Sequence, residues 1–549
     1  MSLHPEADMS IPEETARVAR AAFPKGNTYM RMRDEVGPIY HDEAFRHLFP
    51  SRGQPAASPA RLALITIMQF AEGLSDRQAA EAVRGRIDWK YALGLELTSE
   101  GFDASVLSEF RSRLRLGDVE QLLFETMLTR LREVGLLKAR GRMRTDSTHI
   151  VGAIRELNRL ECVGESLRQA LNLLATVAPG WLQSWVPTDW FDRYAHRFEE
   201  YRLPPGRDER YALAEVIGSD GFHLMERVDA PGAPAWLREI PAIDILRQVW
   251  LQQCVVMDGC LRWRSADDLP PATQLISSPY DPEARYSRKR ETEWVGYKVH
   301  LTETCDPDLP HLIANVETTA APVSDFELPP SIHAKLEARD LLPSEHLLDA
   351  GYMTADHLVT SRDDYGVDLV GPVAGENSWQ TKAGEGFDIA SFVIDWEARS
   401  ARCPQGHTSA QWLTGQHDRH QHPVVHIRFA AAACRACPVR ARCTKSASQP
   451  RSLTVRTQDA FEALQAARQR QTSESFRQLY ALRAGIEGTI SQAVAIPDLR
   501  HAPYIGQAKT HLQHICVALG LNILRVGAWL AKIPRARTRT SPFAALAPA

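Results

Sequence analysis

The sequence lacks a basic segment leading into an apolar run at its start, MSLHPEADMSIPEETARVAR, so that stretch is excluded as a secretory signal. Long hydrophobic runs are also missing. The longest, ICVALGLNIL at 515–524, falls short of the roughly 20 residues that cross a bilayer. The expectation is a cytoplasmic protein with no membrane partner. Cysteine is sparse, nine in 549 residues, and an odd count without a signal argues against a disulfide framework. No internal repeat is present. Net charge is only −4, which by itself speaks against a polyanionic partner.

That average conceals an asymmetry. From Lys445 onward there are 14 Lys/Arg against 5 Asp/Glu, a surplus of +9, which leaves −13 for the remainder of the chain. A basic C-terminal fifth favours a polyanion. The length predicts three or four structural units, and 44% apolar with 24% charged residues is ordinary for a globular chain.

Residues 1–140 read as helical. SPARLALITIMQFAEGL at 58–74 has helical apolar spacing, and Ser75 with Gln78 forms a capping box ahead of the next helix. Helices joined by short turns suit a helix-turn-helix module, with Arg77, Arg84, Arg86 and Lys90 available to phosphates, and equally a small helical bundle with exposed basic residues. A strand then ends on Asp146 in RMRTDSTHI. Helical patterning resumes over 156–270. Strand signals return in WVGYKVHLTET and HLIANVETT, a helix is expected in PPSIHAKLEARDLL, and LLDAGY runs a short apolar strand into Asp349. The order describes an α/β core interrupted by an insertion.

A lone buried carboxylate is costly unless it is paired or binds a cation. Asp146 and Asp349 each follow an apolar strand, where α/β sheets gather functional groups. Brought together they would repel unless a divalent cation neutralised them, and Mg²⁺ accepts one or two carboxylates while leaving positions for phosphate oxygens. In YALRAGIEGTISQAV, Tyr480, Arg483 and Glu487 fall on one helical face. Gly485 and Gly488 flank the acid, and glycine in a helix interior implies that something approaches the backbone closely.

TDSTHI with IRELNRLE, EARYSRKRETEWVGYKVHLTETC, LLDAGY, and YALRAGIEGTISQAV with KTHLQH together resemble the DDE transposases of bacterial insertion sequences. The resemblance covers most of the chain. It implies an α/β fold with helical additions: an RNase H-like core formed by 141–155, 271–400 and 451–530, an N-terminal helical DNA-binding domain at 1–140, a helical insertion at 156–270, a cysteine-rich insertion at 401–450, and a disordered basic tail at 531–549. It further implies that Asp146, Asp349 and Glu487 are the catalytic acids, holding Mg²⁺ or Mn²⁺, with Tyr480 and Arg483 in the motif around the Glu. Many relatives carry Lys or Arg seven residues beyond the Glu. Here Val494 stands there, and Arg500 and Lys509 are the next basic residues. Arg288, Lys289 and Arg290 form a basic cluster suited to a DNA backbone.

The activity implied is binding of double-stranded DNA at the element's terminal inverted repeats, then metal-dependent strand cleavage and strand transfer by in-line displacement, with no covalent protein intermediate. The bacterial protein would act near the nucleoid as a homodimer or larger multimer. A nuclease that cuts without joining, or a transposase-derived DNA-binding protein without catalysis, are the competing readings. Separately, Cys403, Cys434, Cys437 and Cys443 include a C-x2-C pair and fit one tetrahedral structural Zn²⁺, with His407 able to replace a ligand. Free thiols are the alternative. The lone Cys162, Cys254, Cys260, Cys305 and Cys516 read as core residues.

Overall fold

The computed structural model describes residues 2–5, 9–117, 119–257, 260–382, 384, 386–418 and 421–535. Most of the expected tail, 536–549, therefore lies outside the described residues.

The N-terminal part is helical. Helix α1 (Pro59–Glu72) starts on a Ser58 cap with Pro59 in its first turn and stops at Gly73 in the left-handed region. Helix α2 (Asp76–Gly85) opens with the reciprocal Ser75–Gln78 capping box read from the sequence. Helix α3 (Ser105–Leu116) follows. The basic residues here are largely engaged. Lys90 is buried, and its ammonium donates to the carbonyls of Ser99 (2.8 Å) and Glu96 (3.3 Å). Arg86 pairs with Glu72 and Asp88. Lys90 directs its donors to backbone carbonyls of its own module and is not presented for phosphate contact, whereas the Arg86 side chain remains 38% exposed.

A six-stranded mixed sheet forms the centre. Its strands are β1 (Arg142–Val151), β2 (Arg285–Lys289), β3 (Thr292–Thr304), β4 (Ile313–Ala320), β5 (Glu345–Leu347) and β6 (Asp368–Val370). The long β3 is antiparallel to β1, β2 and β4, while β5 runs parallel to β1 and β6 parallel to β5. β3 is buried along nearly all of its length from Trp294 onward, as a central strand must be. β1 extends five residues past Asp146, because β3 pairs with it as far as Val151↔Gly296; Asp146 is mid-strand, not terminal. On its other edge β1 pairs with β5 only as far as Arg144↔Leu347. Asp146 thus stands just beyond the C-terminal end of the parallel pair.

Three helices complete the centre: α4 (Glu474–Ala481), α5 (Gly485–Ala495) and α6 (Gln507–Leu530). A short tight turn, Leu482–Ala484, separates α4 from α5, so Tyr480, Arg483 and Glu487 do not share one uninterrupted α-helix. The cause is visible: the Leu482 carbonyl accepts a hydrogen bond from the Arg144 guanidinium. α6 is long and apolar enough to cross a membrane by length and composition, and 78% of its apolar window is buried within the protein. It packs between α1 and β4, and Gly520 allows the close crossing: a Cβ there would meet the Ala71 backbone nitrogen at 2.8 Å.

The N-terminal helices, the sheet and α6 share one hydrophobic core. Residues 159–253 form helices around a separate core containing Trp190, Leu224 and Trp250. A third, smaller core contains Phe392, Ile427 and Leu453, built on a three-stranded sheet of Gln411–His417, Pro423–Arg428 and Ser452–Arg456. Trp412 packs edge-on against Trp396 in it.

Several histidines are buried within the protein. Burial lowers His300, His311, His333 and His511 to about 4 and His514 to about 3, below the ordinary value near 6.5. Each is neutral when folded and takes up a proton more readily when unfolded. Stability is therefore retained above about pH 6.5 and lost as pH falls from there toward 4, by roughly 2 kcal/mol per histidine at pH 5. Urea denaturation at pH 7 and pH 5 should show a clear fall in midpoint at the lower pH.

Candidate functional site

Three chain segments meet at Arg483. Its Nη2 lies 2.7 Å from Asp146 Oδ2 and 3.8 Å from Asp349 Oδ2, and its Nη1 lies 3.4 Å from Glu487 Oε1. Asp146 comes from mid-β1, Asp349 from the turn two residues after β5, and Glu487 from the first turn of α5. Backbone amides orient the two aspartates: Ser147 N donates to Asp146 Oδ1 and Gly351 N to Asp349 Oδ1, both at 2.8 Å. Arg483 and Asp146 are mostly buried, whereas the Glu487 side chain is 69% exposed. Burial raises the Asp146 carboxyl above the usual range, the Asp349 charge adds to this, and Arg483 and Lys289 oppose it. Tyr480 stacks on Phe476 beside Leu347 and Val370, so it braces the end of the sheet.

A buried ionic cluster sets the separation of these acids. Glu303, fully buried on β3, accepts from Arg144 Nε (2.7 Å), Arg525 Nη1 (2.6 Å) and Thr489 Oγ1 (2.6 Å). Burial alone would raise its carboxyl, but Arg525, Arg144 and Thr489 outweigh that and hold it below the usual range. Arg144 lies two residues before Asp146 and Thr489 two after Glu487, so the cluster ties both acid-bearing elements to one carboxylate. Gly485 is needed for this: a Cβ there would sit 2.1 Å from Arg144 Nη1. Gly488, by contrast, has open space at its Cβ position.

The remaining basic candidates divide. Lys289 reaches the site, 4.0 Å from Asp325 Oδ2. Arg288 instead pairs with Glu293 and bonds the Arg290 carbonyl, and Arg290 is exposed at the turn. Arg500 Nε reaches Thr148 Oγ1 at 3.4 Å, on the same face of β1 as Asp146. Val494 packs against the main core, while Lys509 lines a cleft against the N-terminal helices. Reading the residues alone missed Asp325, whose Oδ1 is 3.1 Å from Lys298 Nζ and 3.3 Å from Ser147 Oγ. Its signal was hidden because Ser324 and Glu327 form a capping box that explains the segment by itself. Tyr352 was also missed; it is buried, hydrogen-bonds His300 at 2.7 Å, and burial with the charges of Asp325, Asp146 and Asp349 keeps it protonated.

Cys403, Cys434, Cys437 and Cys443 line one small cavity of about 30 Å³ together with His407, Phe387 and Phe429. Burial raises the Cys443 thiol, Arg451 opposes this, and Cys434, Cys403 and Cys437 add to it. Among the described residues no three His, Cys, Asp or Glu side chains stand in a metal-binding group. In the acidic site, Arg483 is the cation common to the carboxylates. Carboxylate oxygens nonetheless suit Mg²⁺ or Mn²⁺, and four thiols suit Zn²⁺.

The cluster predicts distinct stabilities. Glu303→Gln leaves two buried guanidiniums without their carboxylate and should cost about 3–5 kcal/mol. Gly485→Ala must displace Arg144 and should cost about 1–3 kcal/mol. Gly488→Ala should be neutral or stabilising by up to about 1 kcal/mol. Chemical denaturation of the three variants measures the order.

Comparison with protein families finds two matches. Residues 17–113 match the transposase domain (DUF772), and residues 402–526 match the transposase DDE domain. The second match contains the cysteine cluster, Arg483 and Glu487. No curated protein and no solved structure matches the chain. Both matched segments are similar to transposase domains, and the acids of β1 and the β5 turn converge with Glu487 of the second; the two matches indicate a DDE-type transposase of insertion-sequence type.

Proposed function

We propose that the protein binds the terminal inverted repeats of its element and catalyses metal-dependent DNA cleavage and strand transfer. The observation that carries this is the convergence of Asp146, Asp349 and Glu487 on one guanidinium. Three carboxylates with 202 and 137 residues between them gain nothing for folding by crowding together, since like charges repel. The sheet order β4-β3-β1-β5-β6, with three antiparallel strands followed by two short parallel ones, supports an RNase H-like core. The separate hydrophobic cores at 159–276 and 387–461 support reading those regions as insertions.

Asp146, Asp349 and Glu487 would hold Mg²⁺ or Mn²⁺. Such ions supply charge stabilisation at a phosphodiester and an activated hydroxyl nucleophile. Arg483 is suited to pass from the carboxylates to the scissile phosphate, since a guanidinium binds both in the same bidentate manner. Lys289 and Arg500 flank the acids and would hold the DNA backbone, with Arg288, Arg290 and Lys509 further out. Ser147, Asp325 and Lys298 brace β1 behind Asp146. Two element ends must be held at once, which favours a dimer or larger multimer acting in the cytoplasm.

Purified protein with a duplex carrying the inverted repeat should cut at the repeat tip in Mg²⁺ or Mn²⁺. Asp146→Ala and Glu487→Gln should reduce cutting to background while still binding the repeat. Joined products with a target plasmid separate a transposase from a nuclease. Binding without cutting by any form, wild type included, would sink the catalytic reading.

The four-cysteine cavity would hold a structural Zn²⁺, because full thiolate ligation leaves no open coordination position. The purified protein should then contain about one zinc per chain by elemental analysis. Cys434→Ser with Cys437→Ser should lose that metal and lower the melting temperature while leaving the repeat-tip specificity unchanged. Zinc absent from wild-type protein purified without chelator refutes the assignment.

A further inference from the structure

An open cleft of about 120 Å³ lies at the seam between α3 and α6. It is lined by Arg111, Ser108, Ser112 and Arg115 from α3 and by Lys509 from α6. Its walls are Phe70, Tyr504 and Leu512. Arg111 is neutralised by Asp76 at 2.6 Å. Arg115 and Lys509 have no acidic partner among the described residues, so two cations from opposite sides face one opening. Gln513 is 2% exposed and lines the cleft. Its Nε2 donates to the His501 carbonyl, and its Oε1 is buried with no donor. An unpaired buried acceptor is costly, and a ligand N–H would relieve it.

Cations from both helices, an aromatic wall and a buried acceptor match the three parts of a nucleotide. A phosphate meets the cations, a base face meets the ring, and an exocyclic amine meets the acceptor. A free inorganic anion would satisfy only the cations. We propose that this cleft receives one unstacked nucleotide of the bound DNA, its phosphate between Arg115 and Lys509 and its base against Tyr504 with an amino group on Gln513 Oε1. The inference rests on the reading of the chain as a DNA-binding transposase. It assigns the N-terminal helices and the core a shared contact, because α3 and α6 each supply one side of the site.

The test uses the full-length protein with neither chelator nor added Mg²⁺ or Mn²⁺, and repeat duplexes carrying the fluorescent base 2-aminopurine at successive positions, since unstacking raises its emission. One position should brighten on binding. Tyr504→Ala should abolish that rise and weaken binding about tenfold. Arg115→Ala and Lys509→Ala should each lower the slope of log affinity against log salt by about one. Adenine or cytosine at the responsive position should bind more tightly than thymine, and Gln513→Leu should level that difference. Lys509 is exposed, so its variant keeps the test valid if substitutions at the wall or floor impair folding. No brightening at any position, or wild-type salt slopes in both cation variants, overturns the proposal. If wild type binds and cuts the repeat while the cleft variants match it, only this inference falls. If wild type does not bind the repeat, the proposed function falls with it.

Discussion

Glu303 is the carboxylate on which the arrangement of the site depends. It is buried in the longest strand of the sheet and bonded to Arg144, Arg525 and Thr489. A buried charge of this kind is tolerated only when every lone pair is matched, and here it is matched from three other elements. Two of those elements carry acids of the candidate site. The Arg144 guanidinium also takes the Leu482 carbonyl, opening the tight turn that separates α4 from α5 and directing Glu487 toward β1. One ionic cluster therefore fixes the strand, the turn and the helix relative to one another.

The site above this cluster is electrostatically balanced rather than neutral. Arg483 is shared among three carboxylates at distances from 2.7 to 3.8 Å, so none has it entirely. Asp146, the most buried of the three, is the one whose carboxyl burial pushes up. The more exposed Glu487 can adjust its side chain to whatever cation or phosphate arrives. Two largely buried aspartates thus stand beside one exposed glutamate.

The two regions between the acids have their own hydrophobic cores, so they can be long without disturbing the sheet. The N-terminal helices differ in this respect. They share the core of the sheet through α6, whose Gly520 lies against α1. DNA held by those helices would be coupled to the sheet through packed side chains rather than through a linker, and the α3–α6 cleft lies on that seam.

Much of the local structure was legible from the residues. The Ser75–Gln78 capping box, the strands around 294–304 and 313–320, the short strand before Asp349 and the helix around 329–338 are all present. The glycine beside Glu487 pointed to a close approach, and Arg144 makes it at Gly485. What was not legible depended on partners distant in sequence. β1 continues past Asp146 because β3 pairs with it, and Lys90 points inward because carbonyls of its own module accept its protons. Glu303, Arg525 and Asp325 each read as an unremarkable charge until the fold supplied their partners. The residues by themselves determined the acids available, the position of Asp349 after a short apolar strand and the helix bearing the third. The tertiary structure alone decided which cations stand between them. Local periodicity selects elements within a dozen residues, whereas an ion pair across hundreds of residues exists only once the sheet has brought its ends together.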